Sequence, residues 1–301
     1  MTLLWIPLTI AAAFLQNVRS ALQKHLKGEL GTIGATFVRF GYGFPFALLY
    51  LAALVLLFDF EMPRLNRDFL MFAATGGLAQ ILATALLVTL FDARNFAVGT
   101  TYSKTETVQA AVFALVFLGE SISTAATIGI LVSLVGVIAI SAARAPSGLA
   151  GIARSWLARP ALIGMASGAF FGVAAVSYRG AALSLGGDGF LVQASFTLAV
   201  VLVFQTVVMA VFMALRDPGE IRRVVKAWRV AGLVGLSGAL ASIGWFTAMT
   251  IQNAALVRAL GQVELVFTIA SSVLIFREKI LRLELTGIIL VVTGIIILLL
   301  L

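Results

Sequence analysis

The feature that most constrains this chain is a succession of apolar runs, each about as long as a bilayer is thick. A helix needs about 20 mostly apolar residues, at 1.5 Å per residue, to cross a hydrocarbon core of about 30 Å. Runs bounded by charged or Gly/Pro-containing breaks predict ten transmembrane helices, at 2–23, 33–58, 68–90, 96–118, 122–143, 160–182, 190–215, 228–250, 255–276 and 283–301. The predicted fold class is therefore an all-α integral membrane protein.

Composition excludes several other classes of protein. Hydrophobic residues make up 61% of the chain and charged residues 11%, whereas about 25% of residues are charged in soluble globular proteins. The absence of cysteine and the presence of one histidine, His25, exclude disulfides, thiolate sites and multi-histidine metal sites. The net charge of +8 is spread over short loops without a compact basic domain, so we predict no nucleic-acid partner and no cofactor.

An internal duplication is indicated by two stretches of similar outline, Thr100–Glu120 and Arg258–Glu278. Glu264 follows Glu106 by 158 residues, and Glu278 follows Glu120 by the same 158 residues. Further identities at this offset match Gly77, Asn95, Ala97, Val108, Ile122, Gly129 and Gly136 with Gly235, Asn253, Ala255, Val266, Ile280, Gly287 and Gly294. We interpret these matches as a repeat.

The repeat predicts the organisation of the chain. A first five-helix half at 1–145 and a second at 160–301 are joined by a linker at 146–159. Because five is odd, the second half must enter the membrane in the opposite orientation, which makes the halves inverted repeats. Inverted repeats are typical of secondary transporters, whose substrate sites lie near the midplane at the repeat interface.

Two further signals concern helix geometry. Pro45 is expected to kink the second helix by removing a hydrogen bond. Glycines four residues apart on the sixth helix favour a close approach of another backbone, at Gly164, Gly168 and Gly172. For both signals the alternative is ordinary packing, since Gly and Pro are common in membrane helices.

The segments that close the two halves carry a family resemblance. GESISTAATIGILVSLVGV (Gly119–Val137) and REKILRLELTGIILVVTGI (Arg277–Ile295) each place a glutamate before a glycine-spaced helix. Together with the ten-helix pattern, they resemble the drug/metabolite transporter superfamily, specifically its EamA-type members. The resemblance implies an exporter in the bacterial inner membrane. Such proteins often have Glu-Pro one helix-length earlier, but here Thr107 and Leu265 follow the glutamates, so a proline break is missing.

Orientation receives two conflicting indications. Fourteen basic residues lie opposite the termini, namely Lys24, Lys27, Arg94, Arg144, Arg154, Arg159, Arg216, Arg222, Arg223, Lys226, Arg229, Arg277, Lys279 and Arg282. Three lie on the side of the termini, namely Arg64, Arg67 and Arg179. Since basic loops mark the cytoplasm, this count places both termini outside, whereas the resemblance implies cytoplasmic termini.

Four cations fall within predicted helices, namely Arg19, Arg39, Lys104 and Arg258. Arg19 and Arg258 lie near helix ends, where a long side chain is expected to reach the interface. Arg39 and Lys104 should lie roughly 9 Å and 12 Å inside the membrane at 1.5 Å per residue. These two cations are therefore candidates for substrate contacts.

Glu106 and Glu264 should lie about 15 Å deep from opposite faces, and so meet at the midplane. An ionised side chain there costs about 2.5–3.5 kcal/mol, so each glutamate needs a partner or water. Glu106 has two interpretations: a structural ion pair, with Arg39 favoured over Lys104, or a substrate-binding or proton-carrying role. Two residues apart on one helix, Lys104 and Glu106 point to different faces.

Glu264 has no basic residue within one helical turn, and Gly261, Thr268 and Ser271 flank it as a small polar stripe. Desolvation favours the proton-bound form of an isolated carboxyl group, so Glu264 is the predicted proton-coupling residue. Neighbouring polar residues complete the predicted substrate-binding set, which is Glu106, Arg39, Lys104, Tyr102, Gln109, Gln80, Trp245 and Gln262. For the last five, ordinary interhelical hydrogen bonding or packing is the alternative.

The interior charges favour a secondary transporter that moves a small anionic or zwitterionic, amino-acid-like metabolite by alternating access. Interior cations outnumber interior carboxylates, so the solute should carry an anionic group. Its partners would be the small-molecule substrate, membrane lipid and protons. The alternatives are a flippase for an anionic lipid headgroup and an exporter of lipophilic cationic drugs. An enzyme is disfavoured, because the chain lacks HExxH, a cysteine nucleophile and a usable histidine base.

Overall fold

The protein is described by a computed structural model that covers residues 3–90, 101–143, 148–154, 156–187, 189–274 and 280–300, with 271–274 as backbone alone. Helices joined by short loops make up this part of the chain, which contains no strand. Helices suit a membrane protein because they satisfy every backbone polar group internally. The all-α prediction is confirmed.

The helices follow the predicted apolar runs. The first half and the linker contain α1 (Trp5–Leu26), α2 (Thr32–Gly41), α3 (Phe44–Leu57), α4 (Arg67–Leu90), α5 (Glu106–Leu118), α6 (Thr124–Ala143) and α7 (Gly148–Arg154). The second half contains α8 (Arg159–Ser184), α9 (Phe190–Arg216), α10 (Pro218–Lys226), α11 (Trp228–Ile251), α12 (Ala254–Leu260), α13 (Glu264–Leu274) and α14 (Arg282–Leu300). Residues 96–100 of the predicted fourth helix lie outside the described residues, as do Asn95, Ala97 and Glu278 of the repeat.

Seven segments of the described chain are long and apolar enough to cross a membrane, at 32–57, 67–90, 124–143, 159–184, 190–216, 228–251 and 282–300. The 32–57 segment consists of α2 and α3, which are separated at Tyr42 and Gly43. The kink expected at Pro45 is therefore a break. Pro45 lies in the first turn of α3, where its missing N–H removes no helical hydrogen bond.

The last helices of the two halves, α6 and α14, cross at four glycines. A Cβ on Gly129 would lie 2.7 Å from the Gly294 carbonyl oxygen, and one on Gly136 would lie 2.6 Å from that of Gly287. Between them the Ser133 hydroxyl donates to the Val291 carbonyl at 3.2 Å. Since the contacts run in opposite directions along the two sequences, the helices are antiparallel. The glycines allow this backbone contact because a side chain would not fit.

Two other interfaces join the halves in the same way. Gly244 of α11 lies against Ala12 of α1, and Gly238 lies against Arg19, so these two helices are antiparallel. Gly180 of α8 lies against Phe72 of α4, with α8 and α4 also antiparallel. We call the membrane side where α1 begins and α11 ends the terminal side. The opposite side, where α8 begins, is the linker side.

On the terminal side, a polar network closes the contact between the halves. Arg179, counted among the loop residues in the sequence, lies in α8 and donates to Glu120 from Nε at 2.7 Å and 3.0 Å. Its Nη1 donates to the carbonyls of Met249 and Gln252 at 2.7 Å and 2.8 Å. Asn253 Nδ2 donates to the same carboxylate at 2.9 Å. The ends of three helices are thereby held together.

On the linker side, α10 supports the start of α2. Glu220 is 1% exposed, and its Oε1 accepts hydrogen bonds from the backbone N–H groups of Gly31 at 2.7 Å and Gly34 at 3.2 Å. A carboxylate at this position satisfies unpaired N–H groups and complements the positive end of the helix dipole. The contact positions α2, which carries Arg39.

Candidate functional site

The centre of the protein contains two helix starts that each begin with a glutamate. Glu106 is the first residue of α5 and follows a turn in which the Lys104 N–H donates to the Thr101 carbonyl at 3.1 Å. Glu264 is the first residue of α13 and follows a 3-10 turn at Gly261–Val263. Both helices are therefore interrupted although no proline is present. A carboxylate in the first turn is stabilised by the helix dipole.

Close contacts lie beside both interruptions. A Cβ on Gly168 of α8 would lie 2.7 Å from the Ser103 carbonyl oxygen, beside the first interruption. A Cβ on Gly261 would lie 2.3 Å from the Trp245 ring, beside the second. Glycines thus let a neighbouring helix and an aromatic ring approach the interrupted backbone. The spacing of Gly168 and Gly172 does more here than pack two regular helices.

Glu264 forms an ion pair with Lys104 of the other half. Its second oxygen accepts a hydrogen bond from Gln16 Nε2 at 2.7 Å. The expectation that Glu264 lacks a cation is therefore wrong. Sequence neighbours could not show the pair, because Lys104 reaches Glu264 across the interface between the halves.

Glu106 forms its ion pair with Arg258, at 3.1 Å between Arg258 Nε and Glu106 Oε1. The predicted partner, Arg39, is wrong. The Arg258 N–H does not point directly at the oxygen, so charge holds this contact rather than a directed hydrogen bond. The Arg258 side chain is 11% exposed and lies over the rings of Trp245 at 5.0 Å and Phe171 at 5.7 Å. The expectation that the Arg258 side chain reaches the membrane interface is therefore wrong.

The two ion pairs cross between the halves of the chain. Lys104 of the first half binds a glutamate of the second, and Arg258 of the second half binds a glutamate of the first. Each glutamate therefore has a cation supplied by the opposite half of the chain. Both ion pairs thus span the interface between the halves.

A cavity of about 190 Å³ adjoins both pairs. It is lined by Gln16, Asn17, Arg19, Ser20, Leu87, Ser103, Lys104, Glu106, Phe171, Arg258, Glu264 and Thr268. The lining residues from α1 and α4 lie in the C-terminal part of each helix, which leads to the linker side. We call this space the central cavity; it lies between the halves and toward the linker side.

A smaller cavity of about 20 Å³ continues toward the terminal side, and Gln16, Phe171 and Arg258 line both cavities. Arg39, Gln80 and Trp245 line it as well. Arg39 Nη1 donates to Thr84 Oγ1 at 3.0 Å.

A hydrogen-bond network surrounds Gln80 in this smaller cavity. The Tyr178 hydroxyl lies 3.0 Å from both Gln80 Oε1 and the Gly76 carbonyl oxygen. Gln205 Nε2 donates to Gln80 Oε1 at 2.9 Å. These hydrogen bonds fix the Gln80 side chain in the polar wall of the smaller cavity.

Three residues of the predicted binding set lie away from both cavities. The Tyr102 hydroxyl donates to the Ile152 carbonyl at 2.8 Å, and Gln109 Nε2 donates to Thr105 Oγ1 at 3.2 Å. Gln262 is 3% exposed and lines neither cavity. The side chain of Ser271 lies outside the described residues.

Several residues at the central cavity were not expected from sequence. Gln16 and Asn17 form a polar pair inside the apolar first helix, a signal that was available. Asn17 Nδ2 donates to Thr268 Oγ1 at 2.9 Å, which joins α1 to α13. Arg19 is 4% exposed and does not reach the interface. Phe171 carries no signal in a helix of apolar residues.

These features define a class: a multi-pass membrane protein that encloses a charged cavity between the halves of a duplicated chain. The model of the EamA-like transporter family matches residues 3–142 and again 159–300. The chain belongs to the EamA-like transporter family, a family of small-molecule membrane transporters.

One protein of known crystal structure is similar over 100% of this chain and 98% of its own, with a TM-score of 0.74 and 17% identity. This likeness shows the shared fold. No curated protein matches the sequence.

Proposed function

We propose that this protein is a secondary transporter that exports a small anionic or zwitterionic metabolite across the bacterial inner membrane by alternating access. Ten membrane crossings form two inverted five-helix repeats, and the substrate binds between them. The antiparallel contact of α6 with α14, with its Ser133–Val291 bond at the 158-residue offset, supports the inverted arrangement.

The observation that carries the proposal is the crossed pair of ion pairs beside the central cavity. Lys104 with Glu264, and Arg258 with Glu106, are charged contacts between the halves, so a relative motion of the halves would stretch or break them. Charges inside a membrane are costly and mark substrate or ion pathways. The Arg179–Glu120 network supports a state that is closed on the terminal side, while the central cavity lies toward the linker side.

Proton coupling is proposed for Glu264. Lys104 and Gln16 contact its carboxylate, and Arg19, Glu106 and Arg258 line the same cavity. A proton on Glu264 would cancel its attraction to Lys104 and so release one of the two contacts that join the halves. Proton binding and the motion of the halves would then be linked.

A flux assay in liposomes tests the proposed function. Purified protein is reconstituted and loaded with an unlabelled amino or organic acid, and uptake of the labelled solute is followed with and without a pH gradient. Protein-dependent counterflow is expected for a solute that carries a carboxylate. Movement of a lipophilic cation alone, or scrambling of a labelled anionic lipid without counterflow, would contradict the proposal.

Glu264→Gln is expected to remove the effect of the pH gradient while leaving exchange at equal pH. The amide retains the shape of the carboxyl group but takes up no proton. Counterflow at several external pH values measures the change. Gln109→Ala is the control, because it alters a residue away from both cavities without adding a charge. This variant should preserve the pH dependence. An unchanged pH dependence in Glu264→Gln would show that another group carries the proton.

A further inference from the structure

We infer that the central cavity, together with the smaller cavity that adjoins it, takes a small dianion held by Arg19 and Arg39, rather than a zwitterion held by a glutamate. The inference rests on the proposed function for its role in transport, but the binding site itself can be tested separately. Its chemistry would suit a dicarboxylate or a phosphate group.

Arg19 has two buried side-chain nitrogens without a hydrogen-bond partner, more than any other residue that the structure describes. Its side chain lines the central cavity and is 4% exposed, yet Nε and Nη1 have no hydrogen-bond partner among the described residues. The contact of Nη2 with Ser20 Oγ is long, at 3.5 Å. A buried guanidinium without a carboxylate is costly. An anion in the cavity would satisfy the planar donor fork.

Arg39 lines the smaller cavity and lies next to Arg19. A Cβ on Gly238 would lie 3.2 Å from Arg19 Cδ and 3.9 Å from Arg39 Cγ, so both side chains pass over the same glycine. Arg39 is 6% exposed and its hydrogen bond goes to the neutral Thr84. No ion pair involves Arg39 in the part of the chain that the structure describes.

The carboxylates of the site are already occupied. Glu106 contacts Arg258, and Glu264 contacts Lys104 and Gln16. A substrate amine would have to displace a cation from one of them. Across the two adjoining cavities, four cations (Arg19, Arg39, Lys104 and Arg258) line the walls with two carboxylates, which leaves an excess of two positive charges. Two negative charges on the solute match this excess, whereas a zwitterion does not.

Thermal unfolding of the detergent-purified protein tests the site without transport. At fixed ionic strength and pH 7.5, succinate and inorganic phosphate are titrated beside propionate and alanine. Ligands that bind the folded state raise the unfolding temperature. We expect succinate or phosphate to raise it at lower concentration than propionate, and alanine to leave it unchanged. Stabilisation by alanine but not by either dianion would overturn the inference.

Arg19→Gln separates a ligand site from a structural role. We expect the apparent affinity for succinate or phosphate to fall about tenfold or more, because two charge-assisted contacts are lost. Without ligand the variant should unfold at the same temperature or higher, because a buried unpaired charge has been removed. Arg19→Lys keeps the charge but not the planar fork, so a smaller loss is expected. Arg222→Gln removes an exposed charge from α10 and is the matched control.

The outcomes distinguish this inference from the proposed function. Dianion binding without any counterflow would sustain the site and contradict transport. Counterflow of alanine that neither dianion inhibits would sustain transport and overturn the site. Unchanged affinity in Arg19→Gln would likewise overturn it, as would a lower unfolding temperature of that variant without ligand.

Discussion

Arg258→Gln is expected to abolish counterflow and to destabilise the protein by about 3–5 kcal/mol, the usual cost of removing one partner of a buried ion pair. The substitution leaves Glu106, 14% exposed, beside the central cavity without its cation. It also removes the charge that lies over Trp245 and Phe171. Urea unfolding in detergent measures the stability, and proteoliposome counterflow measures the transport.

The double variant Arg258→Gln/Glu106→Gln sharpens this result. Stability should recover in large part, because no unpaired charge remains, whereas counterflow should stay absent. Arg216→Gln, which removes an exposed charge at the end of α9, should change neither quantity. If the double variant were as unstable as Arg258→Gln, or if Arg258→Gln transported normally, the crossed ion pairs would not have the role assigned to them.

Gly168→Ala should reduce counterflow at least tenfold, through a steric effect on the first interruption. The new Cβ would lie 2.7 Å from the Ser103 carbonyl oxygen, and this backbone cannot yield as a flexible side chain can. The segment that carries Lys104 and Glu106 must shift, and misplacing charged groups by about 1 Å can cost about a hundredfold in rate. The stability cost of such overpacking is about 1–3 kcal/mol.

A graded series controls for this prediction. A Cβ on Gly172, one turn along the same helix, would lie 3.2 Å from the Ala110 nitrogen, so Gly172→Ala should have a smaller effect. Gly232→Ala faces open space in α11 and should leave flux and stability unchanged. Equal effects of the Gly168 and Gly172 variants would contradict the assignment of a special role to the Ser103 contact.

Much of the fold could be predicted because apolar length dictates where a helix can cross a bilayer. The run predicted at 228–250 is α11 (Trp228–Ile251), and that at 190–215 is α9 (Phe190–Arg216). The interruptions before Glu106 and Glu264 could not be predicted in this way. No proline marks them, and the close contacts beside them, with Gly168 and Trp245, arise only in the packed structure.

The two central glutamates could be identified for a related reason, since a carboxylate deep in an apolar run is costly wherever it lies. Their partners could not, because a helix shows only the neighbours on its own face. Lys104 and Arg258 each reach the glutamate of the other half. Arg258 was expected at the membrane interface because it lies three positions into a predicted helix. In the structure its guanidinium contacts aromatic rings and Glu106 instead of interfacial water.

The central claim, that the cavity between the halves lies on the transport path, is tested most directly with a single cysteine. The chain contains no cysteine, so Ser20→Cys places one thiol at the central cavity, and Arg222→Cys places one outside it as a control. A membrane-impermeant thiol reagent is applied to proteoliposomes, and labelling and counterflow are measured together. We predict that labelling at position 20 blocks counterflow and is slowed by the transported solute, while labelling at position 222 does neither. Full labelling at position 20 with undiminished counterflow would contradict the account.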